Sequence, residues 1–368
     1  MQQSFLSLIQ QVSDPRIAGM VTYPADEILF CVFVGLMCGG DDFDDFESIC
    51  EELLDWLGCF LPFANGIAPA QTMRRVLRVI DPVELEALYS AWVAPLRERA
   101  REIVALDGKT LRGSKRKASG SGALHLIQAF ACERGVMIGQ HPAEDKTNES
   151  KTLPAFLGLL ALEGATVTAD AAATYPEVAQ AILARRADYV MALKANQKAL
   201  LPDVADYFAD PVLAQACPAL SHTSAGHGRI ETRSCKVSND TLWLAQAHPQ
   251  WPQLKSIAAI TAVREDKKTG DSASETRYYI SSLDIGPERF LEIVRRRWEI
   301  ENRLHWPLDV EFSEDHCRIR TGHAARNLAL FRRAVLNVLR QDKTKASFKR
   351  KRIKALMNAK YRTDLLAH

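Results

Sequence analysis

The first hundred residues carry apolar positions at the three-to-four-residue spacing of helices that bury one face. The pattern predicts helices over Ala25–Cys38, Asp44–Leu57, Gln71–Ile80 and Pro82–Val93, with Gly39-Gly40 and the loop 62–69 as breaks. Asp81-Pro82 supplies a capping acid followed by a proline at the first helical position, where a missing N–H costs nothing. From residue 102 the pattern changes to short apolar runs. Glu102–Asp107, Leu124–Cys132 and Val136–His141 read as strands, the last two joined by the turn Glu133-Arg134-Gly135. A helix over Leu153–Leu162, a strand over Ala165–Asp170, a helix over Tyr175–Arg186 and a strand over Asp188–Leu193 follow. Strands in a row, then strands alternating with helices, predict an α/β fold with a mixed sheet and helices on both faces.

Residues 200–285 interrupt that alternation. After a helix near Leu200–Phe208, the stretches Arg229–Val237, Ser256–Arg264 and Glu275–Ile280 read as β-structure. Helical spacing returns over Pro287–Trp306 and Ala324–Arg340. The expected organisation is a helical region over 1–98, an α/β domain over 99–340 with a β-rich insertion at about 210–285, and a basic C-terminal tail over 341–368. No internal repeat is present.

Composition adds a boundary. The 368 residues are 47% hydrophobic and 25% charged, which excludes disordered, collagen-like and low-complexity classes. The formal charge is only +2, but its placement is uneven. Residues 1–100 hold 6 Lys+Arg and 15 Asp+Glu, residues 101–315 hold 26 and 28, and residues 316–368 hold 15 and 2. The basic end suits contact with a polyanion and equally a solvated tail. The longest apolar run, Ile28–Cys38, is far short of the roughly 20 residues a spanning helix needs. The first residues lack the basic start of a signal peptide, so the expected location is cytoplasmic. Eight cysteines without a Cys-x-x-Cys pair read as free thiols.

Three acids stand out as candidate chemistry. Asp107 and Asp170 each end an expected strand of one sheet, where ligands of open α/β sheets gather. Burying two carboxylates together is costly unless a cation neutralises them, so the pair reads as metal ligands or, equally, as turn residues. The third lies in the expected helix Pro287–Trp306, where Arg297, Glu301 and His305 recur at i, i+4 and i+8 and share a face. Trp298 and Trp306 flank that ladder, which predicts a packed helix with its acid in a cleft. In the first region Arg74, Arg75 and Arg78 lie on a short helix that reads either as a DNA-recognition helix or as a solvated surface helix. Phosphate-loop, His-Glu-x-x-His and Gly-x-Ser-x-Gly motifs are absent.

Several ordered motifs then carry a resemblance. They are Ala105-Leu-Asp-Gly-Lys-Thr-Leu-Arg-Gly113, Asp145-Lys-Thr-Asn-Glu149, Thr168-Ala-Asp-Ala171 and Asp188-Tyr-Val-Met-Ala-Leu-Lys-Ala-Asn-Gln197. They continue with His227-Gly-Arg-Ile-Glu-Thr-Arg233, Thr276-Arg-Tyr-Tyr-Ile-Ser-Ser282 and Trp298-Glu-Ile-Glu-Asn-Arg-Leu-His-Trp-Pro-Leu-Asp-Val-Glu-Phe-Ser-Glu-Asp315. Along essentially its whole length the chain resembles the DDE insertion-sequence transposases of the H-repeat-associated group. The resemblance implies a ribonuclease-H-like fold with a β-rich insertion and maps the catalytic, metal-binding triad onto Asp107, Asp170 and Glu301. It implies Mg2+ or Mn2+ as cofactor, two ions being expected. Arg297 matches a phosphate-contacting arginine one turn before the catalytic Glu, and Lys194, Asn196 and Gln197 match a DNA-contacting segment. His305, Arg74, Arg75, Arg78 and the tail cluster Lys349, Arg350, Lys351 and Arg352 join the expected DNA contacts. The implied partners are double-stranded DNA, as terminal inverted repeats and target, and a second copy in a homodimer on paired ends, with no membrane. The implied activity is phosphodiester cleavage at element ends followed by strand transfer. The alternatives are a nuclease without strand transfer and a catalytically silent DNA-binding relic. The chain departs from the helix motif of related enzymes at Val294, where a Tyr is usual, and at Leu308, where a Lys is usual, and from the H-repeat group at Tyr175, where Gln is frequent.

Overall fold

A computed structural model describes residues 4–96, 102–115, 122–143, 149–226 and 229–367, with the side chains of 149 and 150 left aside. Residues 145–148 of the Asp-Lys-Thr-Asn-Glu motif, and His227-Gly228, lie outside the described residues. Helices α1 (Phe5–Ile9), α2 (Ala25–Met37), α3 (Phe43–Glu52), α4 (Leu54–Leu57), α5 (Ala70–Val79) and α6 (Pro82–Val93) precede strands β1 (Ile103–Thr110), β2 (His125–Ala131) and β3 (Val136–Ala143). Next come α7 (Glu149–Gly158), β4 (Thr166–Ala169), α8 (Pro176–Ala184), β5 (Asp188–Leu193), α9 (Leu200–Ala209) and α10 (Pro211–Ala216). Strands β6 (Ala219–Gly226) and β7 (Arg229–Ser238), helix α11 (Leu242–Ala247), and strands β8 (Ser256–Asp266) and β9 (Ser272–Ser281) form the insertion. Helices α12 (Pro287–Arg297), α13 (Trp306–Val310), α14 (Ala324–Gln341), α15 (Phe348–Met357) and α16 (Ala359–Leu366) complete the chain. The nine strands form one mixed sheet in the order β3-β2-β1-β4-β5-β9-β8-β7-β6. Its first five places follow the ribonuclease-H-like order, and the four insertion strands extend the edge beyond β5.

The chain divides into two compact units. The first comprises Met1–Arg97, Gly108–Lys146 and Glu301–His368. Its centre is α2, apolar on every side and buried along nearly its whole length, as a core helix must be. The helix stops where Gly39 takes φ +108°, a conformation that costs a glycine little. Asp42 and Asp45 then form a capping box that starts α3. Helix α14 packs on α2, α5, α6 and β3. Asn337 of α14 fastens this layer: its amide nitrogen donates to Tyr89 Oη at 2.7 Å and to the Met137 carbonyl at 2.9 Å, and its oxygen accepts the Met137 N–H at 3.0 Å. The segment expected as a basic tail is folded, with Ser347 capping α15 and Asn358 capping α16.

The second unit comprises Glu98–Asp107 and Thr147–Ile300. Here β1, β4 and β5 run parallel, and β9 pairs antiparallel with β5. Strands β9, β8, β7 and β6 continue as an antiparallel meander. Helix α12 lays Phe290, Leu291 and Ile293 inward and packs on β4, β6, β7 and β8. The expected single helix over 287–306 is interrupted: α12 ends at Arg297, and Glu301–His305 form a π-helical turn. The flanking tryptophans are not packed as expected, since Trp298 is 47% and Trp306 57% exposed.

Candidate active site

In the second unit the parallel register pairs Leu106 with Ala169, so Asp107 and Asp170 are the next residues on neighbouring strands. Strand β1 runs on to Thr110 instead of ending at Asp107, but its pairing with β4 ends at Leu106. Asp107 is half-buried, and the Asp170 side chain is 43% exposed. Asp170 caps the short turn Ala171–Ala173, its Oδ1 accepting the Ala171 N–H at 2.6 Å. Lys194, just past β5, places Nζ 3.4 Å from the same oxygen. Burial pushes the Asp170 carboxyl upward, but the Ala171 N–H and the Arg297 and Lys194 charges outweigh it and hold the group below its ordinary value. Arg277 and Tyr279 of β9 also lie within the field of Asp170, and Arg277 is held by Glu275 at 2.9 and 3.1 Å. Asn196 and Gln197 brace the loop after β4, donating to the Ala171 and Thr174 carbonyls at 2.8 and 2.6 Å. Asp107, Asp170, Lys194, Asn196, Gln197 and Arg297 thus belong to one unit.

Glu301 and His305 belong to the other. Glu301 opens the π turn with its side chain 49% exposed, and its Oε2 lies 3.2 Å from Nδ1 of the buried His305. The turn is pinned on several sides. Arg303 donates to the Cys132 carbonyl at 2.7 Å, and Arg340 bonds both the Arg303 and Gly135 carbonyls. Lys109, near the end of β1, grips Asp309 of α13 at 2.8 and 2.7 Å. Such π turns are enriched at functional sites because they re-aim side chains within a continuing helix.

Asp107 in one unit and Glu301 in the other each carry a carboxylate. Asp170 adds a carboxylate kept ionised by its neighbours. Carboxylate oxygens suit a hard divalent cation, so the donor chemistry fits magnesium or manganese.

The transposase DDE domain model matches residues 98–338, and a model for the segment associated with that domain matches residues 6–93. The chain belongs to the DDE transposase family, in its H-repeat-associated group. DDE transposase domains use divalent metals. YncI of Escherichia coli O157:H7 is 36% identical over 99% of this chain and 95% of its own length. The H repeat-associated YhhI of Escherichia coli strain K12 is 33% identical over 98% and 96%. Both bear provisional names as transposases. A piggyBac transposase, solved in a synaptic complex with hairpin DNA, aligns with TM-score 0.45 and 11% identity over 97% of this chain and 77% of that one.

The remaining expected DNA contacts of this transposase-family chain divide by exposure. Arg75, Arg78, Lys349 and Arg350 are exposed. Arg74 is paired with Asp44 and lies over the Phe43 ring at 5.5 Å. Lys351 and Arg352 turn inward and have no charge to present to a DNA backbone. Lys351 Nζ donates to the Leu339 and Asp342 carbonyls, each at 2.7 Å, and Arg352 bonds the Leu36 and Gly40 carbonyls, each at 2.9 Å, over the Phe312 ring. His305 is likewise buried, at 5% exposure, and serves its neighbours. Sequence reasoning missed Gln128, Glu314 and Arg333, the buried partners behind His305. Glu314 lay inside a quoted motif, but nothing in its spacing tells a buried acid from a solvated one.

Proposed function

We propose that this chain is the transposase of an insertion sequence, cutting phosphodiester bonds at the element ends and joining the freed 3′-hydroxyl to target DNA. The observation that carries the reading is that Asp107 and Asp170 each directly follow the last paired residues, Leu106 and Ala169, of adjacent parallel strands, with Lys194 and Arg297 around the second acid. Asp107, Asp170 and Glu301 would hold the divalent ions, which lower the pKa of an attacking oxygen and stabilise the leaving one. Lys194 and Arg297 attract the scissile phosphate and offset the negative charge of the acids. Asn196 and Gln197 keep the loop after Asp170 in place. The exposed Arg75, Arg78, Lys349 and Arg350 hold the phosphate backbone away from the reacting bond, which makes binding strongly dependent on salt. Two copies act on paired ends.

The test is Mg2+-dependent cleavage and joining of duplexes carrying the inverted repeats that flank the gene. Wild type should nick the end and join it to a target. Asp107→Ala, Asp170→Ala and Glu301→Ala should each fall below detection. Full cleavage by any one of them removes that acid from the triad, and cleavage without joining replaces the transposase reading with a nuclease.

A further inference from the structure

Behind Glu301 runs a chain of buried groups whose chemistry fixes the position of one proton. It begins at Glu314 and Arg333, whose side chains are both 0% exposed. Arg333 Nη1 donates to Glu314 Oε1 at 2.6 Å and to the Ala329 carbonyl at 2.6 Å, and Nη2 donates to Glu314 Oε2 at 3.1 Å. The next group is the Gln128 amide, which is completely buried between Arg333 and His305. A guanidinium has donors only, so the oxygen of Gln128 must face it. In that orientation the oxygen accepts from Nη2 at 2.5 Å and Nε at 3.0 Å, and the amide nitrogen points at His305 Nε2 from 3.1 Å. An amide nitrogen only donates. His305 Nε2 is therefore the acceptor, and the ring proton sits on Nδ1, 3.2 Å from Glu301 Oε2.

We infer that His305 is a positioning residue for Glu301, and that Glu314, Arg333 and Gln128 act in sequence to fix its imidazole as the Nδ1–H tautomer, which donates to the carboxylate. The inference deepens the transposase reading and rests on it for the role of Glu301. A fixed donor on Oε2 restricts the orientation of the carboxylate, which is what ligand-orienting partners do around metal sites. The same tautomer settles what His305 cannot do. With a proton on Nδ1 and Nε2 engaged by Gln128, the ring has no lone pair for an ion, so the ligand set is made of carboxylates alone. The buried position of His305 equally removes it from the DNA contacts expected of it.

The first test reads the wild-type ring directly and uses a variant only to identify its signals. Protein labelled with 15N-histidine is read by long-range 1H–15N correlation, with and without Mg2+, the His305 signals being identified by their loss in His305→Asn. A protonated Nδ1 and an unprotonated Nε2 in both states support the inference. An Nε2–H ring, an imidazolium, or an Nδ1 that loses its proton when Mg2+ is added overturns it.

The second test follows cleavage against Mg2+ concentration, with the thermal midpoint recorded for each variant. His305→Asn keeps an N–H where Nδ1 was and should stay within about tenfold of wild type. His305→Gln, whose amide reaches the Nε2 position instead, and His305→Ala should lose roughly 10–100-fold and need more Mg2+ for half-maximal rate. Equal losses in the Asn and Gln variants, or full activity in His305→Gln, overturn the positioning role. Failure of the transposase reading would appear separately, as Glu301→Ala cleaving normally while the tautomer is unchanged.

Discussion

Replacing Glu314 by alanine should be among the most damaging single changes in the chain, although it lies outside the proposed triad. Both partners of the Glu314–Arg333 pair are fully buried, with contacts of 2.6 and 3.1 Å. Removing the carboxylate leaves a guanidinium in the core with two N–H groups unpaired, keeping only the Ala329 and Gln128 oxygens as acceptors. Breaking a buried pair by deleting one partner costs about 3–5 kcal/mol, because the surviving charge is uncompensated. Burial pushes the Glu314 carboxyl upward, but the Arg333 charge and hydrogen bonds, with Arg332 and Lys109 farther off, outweigh it and hold the group below its ordinary 4.5. The sign follows from that direction. The contribution is present at and above the unfolded value and is lost as pH falls through the lower folded value. Urea unfolding of wild type and Glu314→Gln should therefore differ by a constant amount from pH 7 down to about 4.5, and the gap should shrink below that. Added salt should change the gap little, because buried charges are poorly screened. A Glu314→Ala loss under about 1 kcal/mol, or one that fades in salt, would refute the assignment of a buried pair. The double variant Arg333→Met with Glu314→Leu separates stability from orientation. It should recover much of the stability, yet cleave poorly, because Gln128 is no longer oriented.

Three further outcomes follow from the same structure. Lys349→Ala with Arg350→Ala should reduce the slope of log K against log salt for DNA binding by about 2, one for each phosphate contact, without moving the thermal midpoint. Lys351→Met and Arg352→Met should leave that slope unchanged and lower stability, Arg352→Met by about 3 kcal/mol, because its carbonyl partners lose their donor; an altered slope in either would return these residues to the DNA surface. Gly135→Ala should cost about 1–2 kcal/mol, since Gly135 has φ +70°. Its Cβ would also meet the Arg303 guanidinium at 2.0 Å, so cleavage should slow as the Glu301 turn shifts, and an unchanged rate would detach that turn from the β2–β3 hairpin.

The core elements were legible because their burial has a period. Helices α2, α5 and α6, and strands β2, β3 and β5, bury apolar residues on regular faces or throughout, and the expected bounds fall within a few residues of those observed. Strand β6 was not legible: all eight of its residues are exposed, so no alternation marks it, and it is a strand only because β7 lies beside it. The split of the expected helix at Trp298 was hidden for a different reason. Tryptophans suggested a packed face, whereas both stand well exposed, and Arg297 lies over the Trp298 ring at 4.8 Å. The candidate acids could be picked from strand ends and helical spacing. The groups that orient Glu301 could not, since a glutamine, an arginine and an acid scattered over two hundred residues carry no local signal. A charge count also misled at Lys351 and Arg352, because one helix of the basic segment faces both water and the core.

The π turn has a consequence for chain length. A turn closed with one extra residue puts everything after it about 100° out of step with everything before it. Counted as a regular helix, Leu308 would stand on the same side as Glu301, the place where related enzymes carry a lysine. Here Leu308 is wholly buried, and Asp309 takes the charged contact with Lys109. The frame of the last sixty residues is thus set by spacing before it is set by side chains. Exposed Asn302 can be exchanged at little cost, but deleting any one residue between 301 and 305 would rotate Leu308 toward water and Asp309 away from its lysine. Along this stretch, an alignment gap would mean more than a mismatch.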